Sequence, residues 1–127
     1  MILAKDMMRA TGITRDALRH YVKHGLLTPR ISPRNGYKQY TSADIERIRF
    51  IKDAQAIGFT IAQIKELLAH METAACKHQS LLPSLRSHLE DINEKITTLR
   101  AMKRHITRLI KDFEQRDCTV EPSELHM

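Results

Sequence analysis

The chain has 127 residues, 42% of them apolar and 5% aromatic, with no tryptophan. That is enough apolar material for a modest helical core and too little for a large enzyme cavity; a chain this short buries a limited share of its surface, so self-association is a natural source of extra stability. The net charge of +6 is unevenly placed: residues 1–60 hold 11 Lys or Arg against 5 Asp or Glu, whereas residues 61–127 hold 10 of each, the footprint expected if one half meets a polyanion and also compatible with a plain solvated basic surface.

The opening residues MILAKDMMRA place Lys5, Asp6 and Arg9 where an export signal would be apolar. No stretch approaches the ~20 apolar residues that cross a bilayer. Residues 4–11 read as a short helix stopped by Gly12. Thr14 is a natural N-cap for a second short helix over residues 15–24, closed by Gly25. Two short helices and a tight turn in a basic region spell helix-turn-helix, with Ile13 as the apolar plug.

Pro29, Pro33 and the Asn35-Gly36 pair then break the pattern. Asn-Gly is the strongest two-residue hairpin signal, since both residues accept positive φ, so TPRIS and YKQY are expected to pair as a wing. Thr41-Ser42-Ala43-Asp44 opens the next helix with a capping-box pattern. Its apolar face is Ile45, Ile48, Phe50, Ile51, Ala54 and Ile57, and Gly58 ends it. Thr60 and Gln63 cap a fourth helix reaching about Glu72.

A loop over residues 73–81 holds Cys76 and His78. Cys76 and Cys118 are the only cysteines, too few for a secreted disulfide framework, so a reduced cytoplasm is the expected setting. From Leu82 onward apolar residues recur at Leu85, Leu89, Ile92, Ile96, Leu99, Ile106, Ile110 and Phe113, in alternating steps of three and four. Lys103 takes the one position that would complete the series, while Met102 and Leu109 broaden the stripe. A heptad of this length argues for a coiled coil. At 1.5 Å per residue the span is roughly 48 Å, more than so small a domain can cover alone. The expected organisation is therefore a DNA-binding domain over 1–72, a loop, a dimerisation helix over 82–114 and an irregular tail over 115–127. The fold class is mainly α.

The second helix should be the recognition helix, its N-terminal residues and outward face entering the major groove. Thr14 starts it. Arg15 and Arg19 share a face one turn apart, and either could read guanine or clamp phosphate. His20 and the Tyr21 hydroxyl are further candidates for phosphate or sugar contact. Arg34, Tyr37 and Lys38 cluster beside Gly36 in the wing. Ala17, Leu18 and Val22 read as core, and Tyr40 as core or contact. His20 and His24, at i and i+4, could together hold a metal, but a basic DNA face accounts for them better.

These motifs, in this order, resemble the MerR family of bacterial regulators: Leu18-Arg19 and Tyr21, then GLLTPR, NGYKQY, DIERIRFIK and GFTIAQIKELL. The resemblance runs over residues 1–113. It implies a winged helix-turn-helix with a second helical pair, joined to an antiparallel coiled-coil dimer. It also implies dimeric binding to pseudo-palindromic promoter DNA, bending and untwisting of that DNA, and indirect engagement of RNA polymerase. By resemblance Arg19, Tyr21, Tyr37 and Lys38 match DNA-contact positions. His20 stands where an aromatic residue is usual, and Val22 where Glu is usual.

Family members differ in what they sense. Cys76 matches the position where many divalent-metal sensors of the family carry a cysteine. An antiparallel dimer would bring Cys76 of one chain toward Cys118 of the other, with His78, and after it His126, available to join. Such donors suit zinc, cadmium, lead or mercury. Those sensors usually have a further cysteine where this chain has Phe113, so a thiol pair sensing oxidants or electrophiles, or no effector at all, stays open beside metal. An architectural DNA binder would usually lack residues 82–113. A coiled-coil interaction protein would need neither the charge split nor the wing. No phosphate loop, nucleophile motif or paired carboxylates suggest an enzyme.

Overall fold

The computed structural model describes residues 1–116 and 118. They form two compact units, one over Met1–Ser80 and one that begins at Leu81. In the first, the order is β1 (Ile2–Leu3), α1 (Ala4–Thr11), α2 (Arg15–Lys23), β2 (Arg30–Ile31), β3 (Lys38–Tyr40), α3 (Ser42–Ala56) and α4 (Ile61–Thr73). A single 3-10 turn, Gln79–Leu81, precedes α5 (Leu82–Gln115).

Local chemistry accounts for most boundaries. The α1 helix ends where Gly12 takes φ 75° and its amide donates to the Met8 carbonyl at 2.7 Å, a left-handed cap that a side chain disfavours. The Thr14 hydroxyl accepts from the Ala17 amide and starts α2. Both capping boxes form. The Thr41 amide donates to Asp44 Oδ2 at 2.8 Å and the Asp44 amide to Thr41 Oγ1 at 3.3 Å. Thr60 and Gln63 repeat the exchange at 2.9 and 3.2 Å. Each such cap is worth about 1 kcal/mol.

The wing departs from expectation in two ways. It belongs to a three-stranded antiparallel sheet of order β1-β3-β2, because Ile2 and Leu3 pair with Tyr40 and Gln39. Nor is Asn35-Gly36 a two-residue turn. The β2–β3 ladder pairs Arg30 with Gln39 and Ile31 with Lys38, so six residues separate the strands. Only Gly36 has positive φ, 71°. The Asn35 side chain instead accepts from the Tyr37 amide at 3.0 Å, and the Ser32 amide donates to the Tyr37 carbonyl at 2.9 Å. Side-chain capture of the backbone has replaced the tight turn.

The core of this unit joins Met7, Ile13, Leu18, Tyr21, Leu26, Leu27, Tyr40, Ile48, Ile51 and Ile64, with Ile45 and Phe50 partly buried against it. Burial of each large side chain contributes about 1.5–3 kcal/mol. Ile57, expected on the apolar face of α3, is exposed. Polar ties from α3 reinforce the packing. Lys52 Nζ donates to the Thr11 carbonyl at 2.7 Å, and Arg47 Nε to the Leu26 carbonyl at 2.6 Å. Both acceptors lie just past or at helix ends with carbonyls to satisfy.

In the second unit α5 runs 34 residues, about 51 Å at 1.5 Å per residue. Pro83 sits in its first turn, where no amide is needed. The stripe residues Leu82, Leu85, Leu89, Ile96, Leu99, Ile106, Ile110 and Phe113 are all exposed in the single chain, and Ile92 is half-buried. Such a length of open apolar surface on one helix fits coiled-coil dimerisation.

Candidate nucleic-acid interface

The helix-turn-helix is held from behind, so that its outer face is free. Leu18 and Tyr21 point into the core, which turns Arg15, Arg19 and His20 to solvent. Arg19 keeps 72% of its side chain exposed and meets Asp16 only at 4.0 Å. An exposed pair at that distance contributes little and leaves the guanidinium available.

Tyr21 requires a correction. It is 4% exposed, and its hydroxyl donates to Gln55 Oε1 of α3 at 2.7 Å. Burial pushes its pKa up. A phenol so engaged braces α2 against α3. The partner, Gln55, lies 34 residues away and nothing in the local pattern around Tyr21 names it. The three-residue step from Leu18 to Tyr21 was the available sign that both share the buried face. Tyr40, 1% exposed, is likewise core.

His20 and His24 do sit together, ring centroids 4.3 Å apart in an edge-on arrangement. Desolvation first, then the charges of His20, Lys23 and Lys65, hold the His24 pKa below its ordinary value. In the wing, Arg34, Tyr37 and Lys38 are exposed around the left-handed Gly36, where nothing lies within 4 Å of an added Cβ. The structure thus keeps Arg15, Arg19 and His20 on one exposed helix face and the three wing residues on an exposed loop and strand.

The sensing candidates are placed differently. Cys76 and His78 lie on the segment after α4, and both are exposed. Cys76 and Cys118 are free thiols. His78 lines a groove of about 480 Å³ between α3 and α4, together with Arg47, Phe50, Met71, Glu72 and Lys77. Among the described residues no group of three or more His, Cys, Asp or Glu is arranged to hold a metal ion. Cys76 and Cys118 fall in different units, and His126 lies outside the described residues. No helix among the described residues is long and apolar enough to cross a membrane.

Sequence reasoning missed Arg47. Beyond its bond to Leu26, its Nη1 reaches Glu72 Oε1 at 3.2 Å. One side chain therefore joins the chain leaving α2 to the last turn of α4, just ahead of Cys76.

Comparisons with known proteins agree with this architecture. The family model described as MerR HTH family regulatory protein matches residues 4–71, and the one described as MerR, DNA binding matches residues 45–109. A mercuric resistance operon regulatory protein of Serratia marcescens is 35% identical over 103 residues, covering 80% of this chain and 69% of the relative. The HTH-type transcriptional regulator CueR of Yersinia pestis is 29% identical, covering 91% and 85% respectively. Among solved structures, the N-terminal part of the Bacillus subtilis multidrug transporter activator MtaN superposes with TM-score 0.74 at 28% identity, covering 87% of this chain and 98% of that one. The Ralstonia metallidurans regulator PbrR691, solved with lead(II), has the same fold with TM-score 0.74 at 19% identity, covering 98% and 94%. The matched proteins are regulators of transcription rather than enzymes. This chain belongs to the MerR family of helix-turn-helix transcription regulators.

Proposed function

We propose that the chain works as a homodimer that binds a pseudo-palindromic promoter operator and controls transcription by distorting it, so that RNA polymerase engages the site indirectly. The observation that carries this reading is the braced α2, whose Arg15, Arg19 and His20 face outward beside an exposed wing bearing Arg34, Tyr37 and Lys38. Two such modules joined through α5 would meet half-sites one helical turn apart, about 34 Å.

The α5 stripe supports an antiparallel pairing through a simple register. Setting Leu82 opposite Phe113 places Leu85 opposite Ile110, Leu89 opposite Ile106, Ile92 opposite Lys103 and Ile96 opposite Leu99. Each pair then joins the two alternating heptad positions, which keeps the whole exposed stripe covered.

The effector reading is that Cys76 and Cys118, from opposite chains, and His78 take a thiophilic divalent ion. The names of several relatives refer to mercuric resistance or to heavy metals, and thiolate with imidazole is the donor chemistry such ions prefer. Arg47 would connect this segment to the DNA-binding face, since Glu72 and Leu26 both bind it.

Selection of bound fragments from a promoter library, followed by footprinting with and without zinc, cadmium, lead or mercury salts, tests both layers. The expected result is a symmetric footprint on spaced half-sites, with a metal-dependent change in central base-pair reactivity that Cys76→Ser abolishes. A symmetric footprint indifferent to metals, oxidants and aldehydes would leave the operator reading and remove the effector one.

A further inference from the structure

We propose that residues 100–111 of α5 form a second polyanion-binding stripe, which takes nucleic-acid phosphates independently of the helix-turn-helix. The inference rests on the reading that the apolar seam of α5 is covered by a second copy.

The neutral balance of the C-terminal half conceals a strong local charge. Between Lys95 and Lys111 there are six Lys or Arg and no Asp or Glu. Five of the six gather on one side of the helix in two neighbouring rows at i+4 spacing: Arg100, Arg104 and Arg108, and Lys103, Thr107 and Lys111. These six residues line an open groove of about 530 Å³. Rows of this kind are the ridges of a helix surface, and the space between them is its groove. The stripe runs about 16 Å along the axis.

Like charges four residues apart work against a helix, and among the described residues none of these cations has an ion-pair partner. The contrast lies a few residues further on, where Arg116 bonds Asp112 at 2.9 Å. Most of the stripe also lies beside the apolar seam rather than within it. Leu99, Met102, Ile106, Leu109 and Phe113 form their own run of steps three, four, three, four; Lys103 keeps the seam position opposite Ile92, so the row of Arg100, Arg104 and Arg108, with Lys111, is the part that lies beside the seam. Most of the charge therefore stays open after dimerisation.

The occupant follows from what the stripe has and lacks. Three guanidiniums in a row match phosphate oxygens through paired hydrogen bonds. No aromatic or aliphatic residue is among the six that line the groove, and such residues are the usual anchors of a protein partner. A phosphate backbone requires only the charge.

The test is a salt titration of the full chain on a short duplex of mixed sequence lacking the operator. Replacing Arg100, Arg104 and Arg108 together by Gln should make the dependence of log K on log salt shallower by about 2.7 for each protomer whose stripe meets the duplex, at 0.9 per phosphate contact on B-form DNA. The corresponding triple Lys variant keeps the charge and should keep the wild-type slope. Sedimentation should show all three proteins as the same dimer. An Arg15→Ala, Arg19→Ala variant should lose operator preference yet retain weak binding that the triple Gln change weakens further. An unchanged slope in the triple Gln variant overturns the stripe while leaving the operator reading in place. Loss of binding to phosphatidylserine vesicles, with the slope on DNA unchanged, overturns it in favour of a membrane surface. A wild-type protein with no operator preference, whose duplex binding still depends on the three arginines, counts against the helix-turn-helix reading alone.

Discussion

Replacing Tyr21 by Phe separates two roles that a tyrosine on a recognition helix can have. The ring is buried and Phe keeps it, so no cavity forms; only the hydroxyl and its 2.7 Å bond to Gln55 are lost. A net contribution of about 0.5–1.5 kcal/mol is usual for such a bond. Gln55 is exposed as a residue, so water can take over at its oxygen and no buried acceptor is stranded. The expected cost is therefore near the lower end, about 0.5–1 kcal/mol. For a unit of this size that is a drop of roughly 2–8 °C in Tm, readable by urea or thermal unfolding. Gln55→Ala should cost a similar amount, and the double variant should show coupling close to the whole effect. DNA affinity at fixed salt, and its salt slope, should stay at wild-type values. Unchanged stability together with a slope reduced by about 0.9 per protomer would show that the hydroxyl meets a phosphate, and would refute the assignment of Tyr21 as an internal brace.

The remaining expectations concern the two surfaces and one titrating group. Arg19→Ala should weaken operator binding by about 1–3 kcal/mol if the guanidinium reads a base, whereas Lys38→Ala should weaken all sequences alike and flatten the salt slope by about one unit; operator and non-operator titrations distinguish them. Leu89→Asp or Ile96→Asp would bury an unpaired carboxylate in the α5 seam, and both should dissociate or unfold in sedimentation; wild-type dimers from both would refute the coiled coil. The lowered His24 pKa carries a definite sign. The unfolded chain takes up the proton first, so stability should fall as pH drops through about 6.5 toward the folded value and level off below it. His24→Gln should remove that step from a pH series of urea midpoints.

The elements that could be read from the sequence are those whose determinants are local. Thr14, Thr41 and Thr60 cap helices with residues three positions away, and the α5 stripe repeats every seven. The first strand escaped notice because two residues, Ile2 and Leu3, have no period to show, and their partners Tyr40 and Gln39 are distant. The Asn35-Gly36 signal pointed to a hairpin but not to its turn, since Asn35 spends its side chain on the Tyr37 amide. The same limit explains the site. Outward-facing Arg15 and Arg19 follow from helical spacing, but whether Tyr21 faces DNA or core depends on Gln55, which only the folded α3 supplies.

The α3 helix is accordingly more than packing. Along one helix, Arg47 takes the Leu26 carbonyl, Lys52 takes the Thr11 carbonyl, and Gln55 takes the Tyr21 hydroxyl. Both helices of the helix-turn-helix, and the chain leaving it, are thus fastened to a single element by directional bonds, over a core that would by itself tolerate some sliding. A shift of α3 would move the recognition helix with it. Arg47 extends that linkage to Glu72 at the end of α4, where the exposed Cys76 and His78 follow. On the proposed effector reading, a ligand closing on that segment would act through the Arg47–Glu72 contact, because the same guanidinium also holds the Leu26 carbonyl.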